Sequence, residues 1–220
     1  MGGGATTKKR LTIWCMSLYA IIPVKPFANG KARLAPVLSP EARASLCQRL
    51  FEHVLDAACA AVGLDEIVVV SGDDTVRVIA AARGAACIDE PLPDRSGLDG
   101  LNAALAMGRH EAVARLASAI LVLPADLAFV TAEDIGALIA AGGGPAMVIA
   151  PDEAQDGTNA LLLSPPHLIG FSFGPDSFEA HCAAAVTAGI KPTVVERPGL
   201  GFDVDAPEDL SRIAGHYPLF

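Results

Sequence analysis

The sequence predicts a single α/β domain built on a mostly parallel sheet flanked by helices. Short apolar runs alternate with longer amphipathic stretches along most of the chain. Hydrophobic residues make up 52% of the composition but aromatics only 5%, so Ala, Val, Leu and Ile carry the core. That diet suits helices packed on a buried parallel sheet. A length of 220 residues favours one large domain, big enough to bury its surface without staples.

The elements follow in order. Residues 18–24 read as a short buried strand, followed by a polar loop, 25–38, that contains Pro26 and Gly30. Ser39-Pro40-Glu41 opens a helix, with Ser as N-cap, Pro at N1 and an acid in the first turn. Leu46, Leu50, Val54 and Ala58 form its apolar stripe, and Gly63 ends it. Residues 66–71 read as a strand, 73–83 as a helix and 85–88 as a third strand. A loop with Pro91 and Pro93 precedes a helix over 98–116, and residues 119–123 form a strand stopped by Pro124. Thr131-Ala132-Glu133-Asp134 carries the signature of a capping box. Strands over 146–150 and 160–163, a helix over 175–188, a strand over 193–196 and a helix over 206–214 complete the reading. The first half calls for right-handed crossovers and helices on both faces; the second is less regular.

Residues 1–15 read as a disordered N-terminal extension ahead of a domain spanning 16–220. Lys8-Lys9-Arg10 before an apolar stretch imitates a signal peptide, but the stretch is interrupted and no clean cleavage site follows. The absence of an 18-residue apolar run argues against a membrane span. Five widely spaced cysteines without a C-x-x-C suggest reduced thiols in a cytoplasmic protein, not a disulfide framework or zinc site. A formal net charge of −9 disfavours nucleic acid as a partner.

Ligands of open α/β sheets sit beyond the carboxyl ends of the strands. The first such loop holds Lys25, Lys31 and Arg33, local cations suited to phosphates in an acidic chain. It lacks the spacing of a Walker A loop. Asp126 follows a fully apolar strand and is placed to hold Mg2+, which takes one or two carboxylates and completes its shell with water and phosphate. Asp203 and Asp205 lie two apart and share a face if extended, although Asp205 equally fits an N-cap before Pro207. Ser71 and Asn102 can read a purine edge, with Gly97 just ahead of their shared rim. The Thr158 loop and the Gly174-Pro175-Asp176-Ser177 loop combine a glycine with hydroxyls where backbone N–H groups can meet an anion; each is equally an ordinary turn. The scattered histidines show no metal spacing, and no nucleophile elbow is present. Chemistry here must lean on charge and metal.

Four blocks in this order and spacing resemble the 2-phospho-L-lactate guanylyltransferase family of coenzyme F420 biosynthesis. They are Ile22-Pro23-Val24-Lys25 with Lys31-Ala32-Arg33-Leu34, Pro124-Ala125-Asp126-Leu127, Asp156-Gly157-Thr158-Asn159-Ala160-Leu161 and Phe202-Asp203-Val204-Asp205. The resemblance covers about residues 18–210. It implies a nucleotidyltransferase fold of the nucleotide-diphospho-sugar transferase type and transfer of GMP from GTP to a small phosphorylated carboxylic acid. That acid would be 2-phospho-L-lactate, phosphoenolpyruvate or 3-phospho-D-glycerate. It further implies that Lys25, Lys31 and Arg33 hold the triphosphate and that Asp126, Asp203 and Asp205 bind Mg2+. Thr158, Gly174 and Ser177 would hold the phospho-acid, and a homodimer is a family-level expectation. Two local departures are Ala128, where the family usually has Pro, and Ala206, where Thr is more usual. The first is expected to loosen the Asp126 loop without touching its carboxylate. Two other readings compete: a molybdenum-cofactor or sugar-phosphate nucleotidyltransferase, and a nucleotide-binding module without catalysis. The 25–34 loop does not match the glycine-rich loop of the molybdopterin enzymes, and the three aspartates speak against a module without catalysis.

Overall fold

Parallel pairing of the first strands sets the architecture. The computed structural model describes residues 17–90 and 100–217. Its strands are β1 (Leu18–Pro23), β2 (Glu66–Val70), β3 (Ala86–Ile88), β4 (Ala119–Val122), β5 (Ala146–Pro151), β6 (Thr158–Ser164) and β7 (Thr193–Val194). The helices are α1 (Pro40–Ala60), α2 (Asp74–Ala82), α3 (Gly100–Ala114), α4 (Ala132–Ala141), α5 (Ser177–Thr187), α6 (Pro198–Gly201) and α7 (Leu210–Ile213). The seven strands form one sheet in the order β3-β2-β1-β4-β6-β5-β7. β1 pairs in parallel with both β2 and β4, while β6 runs antiparallel to β4 and β5. The sheet is therefore mostly parallel, with one reversed strand.

That reversal matters for the rim. The start of β6, at Thr158 and Asn159, lies on the same side as the ends of β1 and β4. Ala150 pairs with Ala160 and Pro151 with Thr158, so Asn159 has no partner on β5. Such a bulge re-aims side chains that strict alternation would place elsewhere.

Strand alternation divides the core between two faces. Leu18, Ala20 and Ile22 pack with Phe51 and Val54 of α1, Val76 of α2 and Leu138 of α4. Ile21, Val68 and Val70 pack with Leu105 and Ala112 of α3 and Ala185 of α5. A third cluster joins the rim loops: Leu34 and Leu38, Leu46 and Leu50 of α1, Ala128, Phe202, Val204, Ile213 and Tyr217.

Helix starts follow the capping chemistry. Ser39 accepts from the Ala42 N–H, Asp73 from Thr75, and Thr131 with Asp134 forms the full capping box. The second half departs from the sequence reading. The helix expected over 206–214 is a 3₁₀ turn, Pro207–Asp209, running into the single turn of α7, and the strand expected over 193–196 is only the two-residue β7. The one-turn α6, missed in sequence, begins at Pro198. No helix among the described residues is long and apolar enough to cross a membrane. The four described cysteines, Cys47, Cys59, Cys87 and Cys182, are free. The expected extension over 1–15 lies outside the described residues, as does Gly97.

Gly108 shows how closely α3 packs on the sheet. A Cβ there would lie 2.5 Å from Ile21 Cγ2 and 3.1 Å from Val70 Cγ2, whereas one at Gly136 in α4 would meet nothing within 4 Å. Replacement by Ala should have opposite signs at these two helical sites. Gly136→Ala should gain about 0.5–1 kcal/mol from helix propensity. Gly108→Ala should lose about 1 kcal/mol net, because overpacking outweighs the same gain. Urea unfolding of both variants checks this; a stabilised Gly108→Ala would mean the helix shifts freely on the sheet.

Candidate active site

The loop after β1 makes two short 3₁₀ turns, Phe27–Asn29 and Ala32–Leu34. Asp73, which caps α2, also accepts from the Phe27 N–H at 3.0 Å and ties this loop to the next one along the rim. Between the turns Lys31 adopts φ 50°, ψ 46°, a left-handed conformation that non-glycine residues rarely take. Such strain persists only where surrounding contacts enforce it. Gly30 packs against α1: a Cβ there would collide with Cys47 Sγ. The left-handed residue is the lysine beside it.

Lys31 turns its side chain inward, and only 8% of it remains exposed. Its Nζ donates to Asp126 Oδ2 at 2.6 Å and to Asp205 Oδ1 at 2.9 Å. Burial pulls the ammonium's pKa down, but Asp126 and Asp205 outweigh it and hold the group above its ordinary value. Arg33, largely exposed, stands 3.6 Å from the other oxygen of Asp205.

The two acidic loops are joined by backbone. Leu127 and Asp203 form an isolated antiparallel bridge, and Phe202 and Val204 anchor one loop in the third core cluster beside Ala128 of the other. One ligand oxygen from each of Asp126, Asp203 and Asp205 lies within 4.8 Å of the others. Three carboxylates so close can hold a divalent cation. Asp205 does not cap the following turn. Its own N–H and that of Ala206 donate instead to Asp209 Oδ2, at 2.8 and 2.7 Å, which leaves the Asp205 carboxylate for Lys31 and Arg33. At Ala128 the buried side chain and a 2.9 Å hydrogen bond from the Tyr217 hydroxyl to its carbonyl hold the loop where a looser one was expected.

Asn159, the bulged residue, donates to the Leu200 carbonyl at 2.9 Å and to Asp203 Oδ1 at 3.3 Å. Burial raises the Asp203 carboxyl to about 6, and the neighbouring Asp126 and Asp205 push the same way against Asn159 and Lys31.

A cavity of about 460 Å3 opens beside these groups. Lys25, Lys31, Arg33, Asp126 and Asp205 line it, with apolar walls from Val70, Leu105 and others. Lys25 has no ion-pair partner among the described residues. Ser71 is fully buried, and its hydroxyl accepts from the Asp73 N–H. Asn102 is also buried; its amide receives the Phe173 N–H at 2.9 Å and donates to the Phe173 carbonyl at 3.0 Å. The Phe173 it holds is itself a wall of the cavity.

The third group of sequence-expected residues gathers around the start of α5. The Phe178 N–H donates to the Asp156 carbonyl and the Ser177 N–H to the Gly174 carbonyl, so these two N–H groups are engaged within the protein. Gly174 has φ +133°, which only glycine takes readily. Thr158 and Ser177 are buried, and Thr158 Oγ1 lies 3.0 Å from Nδ1 of the buried His181. Sequence reasoning passed over Asn159, Asp209, Phe173 and His181. Asn159 stood beside Thr158 in a quoted block; His181, four residues after Ser177 on one helix face, was set aside for want of metal spacing.

A mixed sheet with a cation-bridged carboxylate cluster and a basic loop on its rim defines a nucleotidyltransferase. Solved structures show the same fold: a nucleotide-diphospho-sugar transferase from Desulfovibrio desulfuricans G20 matches with a TM-score of 0.70 at 15% identity, covering 91% of this chain and 89% of that one. A nucleotidyl transferase from Methanothermobacter matches with a TM-score of 0.66 at 16% identity, covering 91% and 97%. The family model described as "Guanylyl transferase CofC like" matches residues 18–217, and the chain belongs to that family. It is 46% identical over 199 residues to the phosphoenolpyruvate guanylyltransferase of Rubrobacter xylanophilus, covering 90% of this chain and 94% of the relative. It is 41% identical over 204 residues to the enzyme of that name from Sphaerobacter thermophilus, covering 93% and 96%.

Asp203 makes the stability of the fold depend on pH. Its folded value of about 6 lies above the ordinary 3.8, so its contribution is complete below pH 3.8 and is lost as pH rises through 6. His181, lowered by burial from 6.5 to about 4, acts the other way, losing its contribution as pH falls through 4. The difference between Asp203→Asn and wild type isolates the first effect. In divalent-free buffer the variant should gain on wild type by about 2 kcal/mol between pH 4 and 7.5. Urea titrations across that range check it; a pH-independent difference would place the carboxyl in an ordinary environment.

Proposed function

We propose that this chain transfers GMP from GTP to the phosphate of a small phosphorylated carboxylic acid, releasing pyrophosphate, as a step toward coenzyme F420. Phosphoenolpyruvate is the first candidate acceptor because it is the substrate in the names of the relatives. The observation that carries the reading is the Asp126, Asp203 and Asp205 cluster, bridged by Lys31 on the wall of a 460 Å3 cavity in a member of this family.

In this reading Asp126, Asp203 and Asp205 hold Mg2+, and their geometry fits one. Their oxygens converge, Lys31 and Arg33 pair with only two of the three, and burial, reinforced by Asp126 and Asp205, pushes Asp203 toward protonation. Bound Mg2+ supplies charge neutralisation at the triphosphate. Lys25 and Arg33, both exposed at the cavity, meet the phosphates of GTP. Lys31 holds Asp126 and Asp205 in place by pairing with both. Leu105 and Val70 offer an apolar wall to the base. Ser71 and Asn102 serve the nucleotide side by setting the backbone at Asp73 and Phe173. Thr158, Gly174 and Ser177 take the phospho-acid.

The acceptor needs no general base. A phosphate monoester has its second pKa near 6 and is mostly a dianion at neutral pH. One of its oxygens forms the new bond to the α-phosphorus of GTP while the bond to pyrophosphate breaks. The task left to the protein is to bring two anions together in line, which is a matter of positioning and charge.

Incubation with GTP, Mg2+ and a panel of phosphoenolpyruvate, 2-phospho-L-lactate and 3-phospho-D-glycerate should release pyrophosphate with at least one acid. Asp126→Ala should lower kcat by a factor on the order of 10³ or more, as expected when a transition-state charge stabiliser is lost. Near-normal turnover by that variant would remove Asp126 from the site. Release with none of the acids but with a sugar phosphate would move the chain to another branch of the nucleotidyltransferase fold.

A further inference from the structure

His181 is buried in α5, and no part of the transfer reaction uses it. Its two ring nitrogens have different partners. Nε2 receives the Ser172 backbone N–H at 3.0 Å, and Nδ1 lies 3.0 Å from Thr158 Oγ1. A backbone amide always carries its hydrogen, so Nε2 must present a lone pair. The neutral ring then has its only hydrogen on Nδ1, the nitrogen that faces Thr158 Oγ1, with the Ser177 backbone as a further partner of the ring. Burial pulls the imidazole down to about 4, so the ring is neutral at physiological pH.

The consequence falls on Thr158. Its oxygen accepts from Nδ1 and cannot return its own hydrogen there. Among the described residues nothing else accepts that hydrogen. Thr158 opens β6, on the rim where the chains of Gly174 and Ser177 also meet. Its hydroxyl accepts on the His181 side and is left with its own hydrogen to donate elsewhere.

The same ring also braces the cavity wall. It packs edge-on to Phe173 with centroids 4.9 Å apart, and Asn102 holds the Phe173 backbone from the other side. Imidazole and amide thus fix residues 172–173 at adjacent peptide groups.

We infer that His181 is a positioning residue for the acceptor: by fixing its own Nδ1–H tautomer it makes Thr158 an obligate hydrogen-bond donor toward a group that only accepts, a carboxylate or phosphate oxygen of the phospho-acid. The inference rests on the proposed assignment of Thr158 to that acid. It assigns His181 no contact with substrate. Threonine alone would leave the direction of its hydroxyl open; the imidazole hydrogen facing it turns the hydroxyl hydrogen away from His181, where an oxygen of the acid would accept it.

The test is a double-mutant cycle read on two substrates. His181→Phe keeps a ring against Phe173 and removes both nitrogens; Thr158→Val keeps the shape and removes the hydroxyl. Each alone should raise KM for phosphoenolpyruvate about tenfold, the scale of one hydrogen bond to a charged group, with KM for GTP changed less than twofold. In the Thr158→Val background, His181→Phe should raise it less than twofold further. A rise of equal size in both backgrounds, or an equal rise in KM for GTP, would overturn the proposal and leave His181 a packing residue. Nitrogen-15 chemical shifts of His181 in the wild-type protein at neutral pH provide an arm that needs neither a variant nor turnover. An Nδ1-protonated neutral ring is the expected result, and an Nε2–H or doubly protonated ring would overturn the proposal. Failure of the transfer reading shows separately, as a wild-type protein that releases no pyrophosphate with any phospho-acid; failure of the proposal alone shows as an active enzyme with the wrong tautomer or an additive cycle.

Discussion

Three carboxylates held within 4.8 Å of one another repel, and the local structure is arranged around that fact. In a half-buried site the repulsion is large, because little water intervenes to screen it. Lys31 offsets it by pairing with two of the three aspartates, and for this its backbone adopts the left-handed conformation. Removing that ammonium would leave the acids without their buried counter-charge. The cost of the lysine's burial and strain is thus linked to the charge of the acids, and neither makes sense alone.

The carboxylates cannot drift apart to relieve the repulsion, since each rides on a fixed backbone. The Leu127–Asp203 bridge joins the two acidic loops, and Phe202 and Val204 sink into the same cluster as Leu34 beyond Lys31 and Leu46 of α1. Phe202 stacks on Phe129 at 5.4 Å, and the Arg212 guanidinium covers it at 3.7 Å. Asp209 draws in the N–H groups of Asp205 and Ala206. Apolar burial thus performs on the loops what the sheet performs on the strands: it fixes the backbone, so that electrostatic tension is held as a site and not dissipated as motion.

How much of this could be read in advance depends on the range of the interactions. Ser39, Asp73 and Thr131 announce helix starts because capping is decided within four residues. Asp126 was legible as a rim carboxylate because it directly follows an apolar strand. Contacts between distant segments left no such mark. The bulge that turns Asn159 toward Asp203 depends on register against β5, and alternation along β6 alone would have placed it on the opposite face. Asp205 read equally well as a cap. Only the arrival of Asp209 at the same N–H groups, an interaction four residues long that competes for that role, resolves the ambiguity. The Asn102 amide looked available to a ligand because nothing in its own helix indicated the Phe173 backbone 71 residues away. The closing helix over 206–214 was overestimated because Pro207 and the acids after it signal a start, while nothing local shows that the chain must bend back at Tyr217 to reach Ala128.

These contacts also divide the basic residues of the first loop, which sequence treats alike. Lys25 and Arg33 are exposed at the mouth of the cavity, whereas Lys31 is enclosed and already paired twice. A phosphate competing for Lys31 must displace carboxylate partners that are themselves held rigidly, and it gains little unless another cation takes over the acids. A phosphate meeting Lys25 or Arg33 gives up only water or the long contact to Asp205. On the proposed reading, the exposed pair therefore recruits the nucleotide. Lys31 becomes free to contact it only as the carboxylates acquire a divalent cation. Nucleotide and metal would then favour each other's binding through one ammonium group, since each relieves the charge that the other would leave unbalanced.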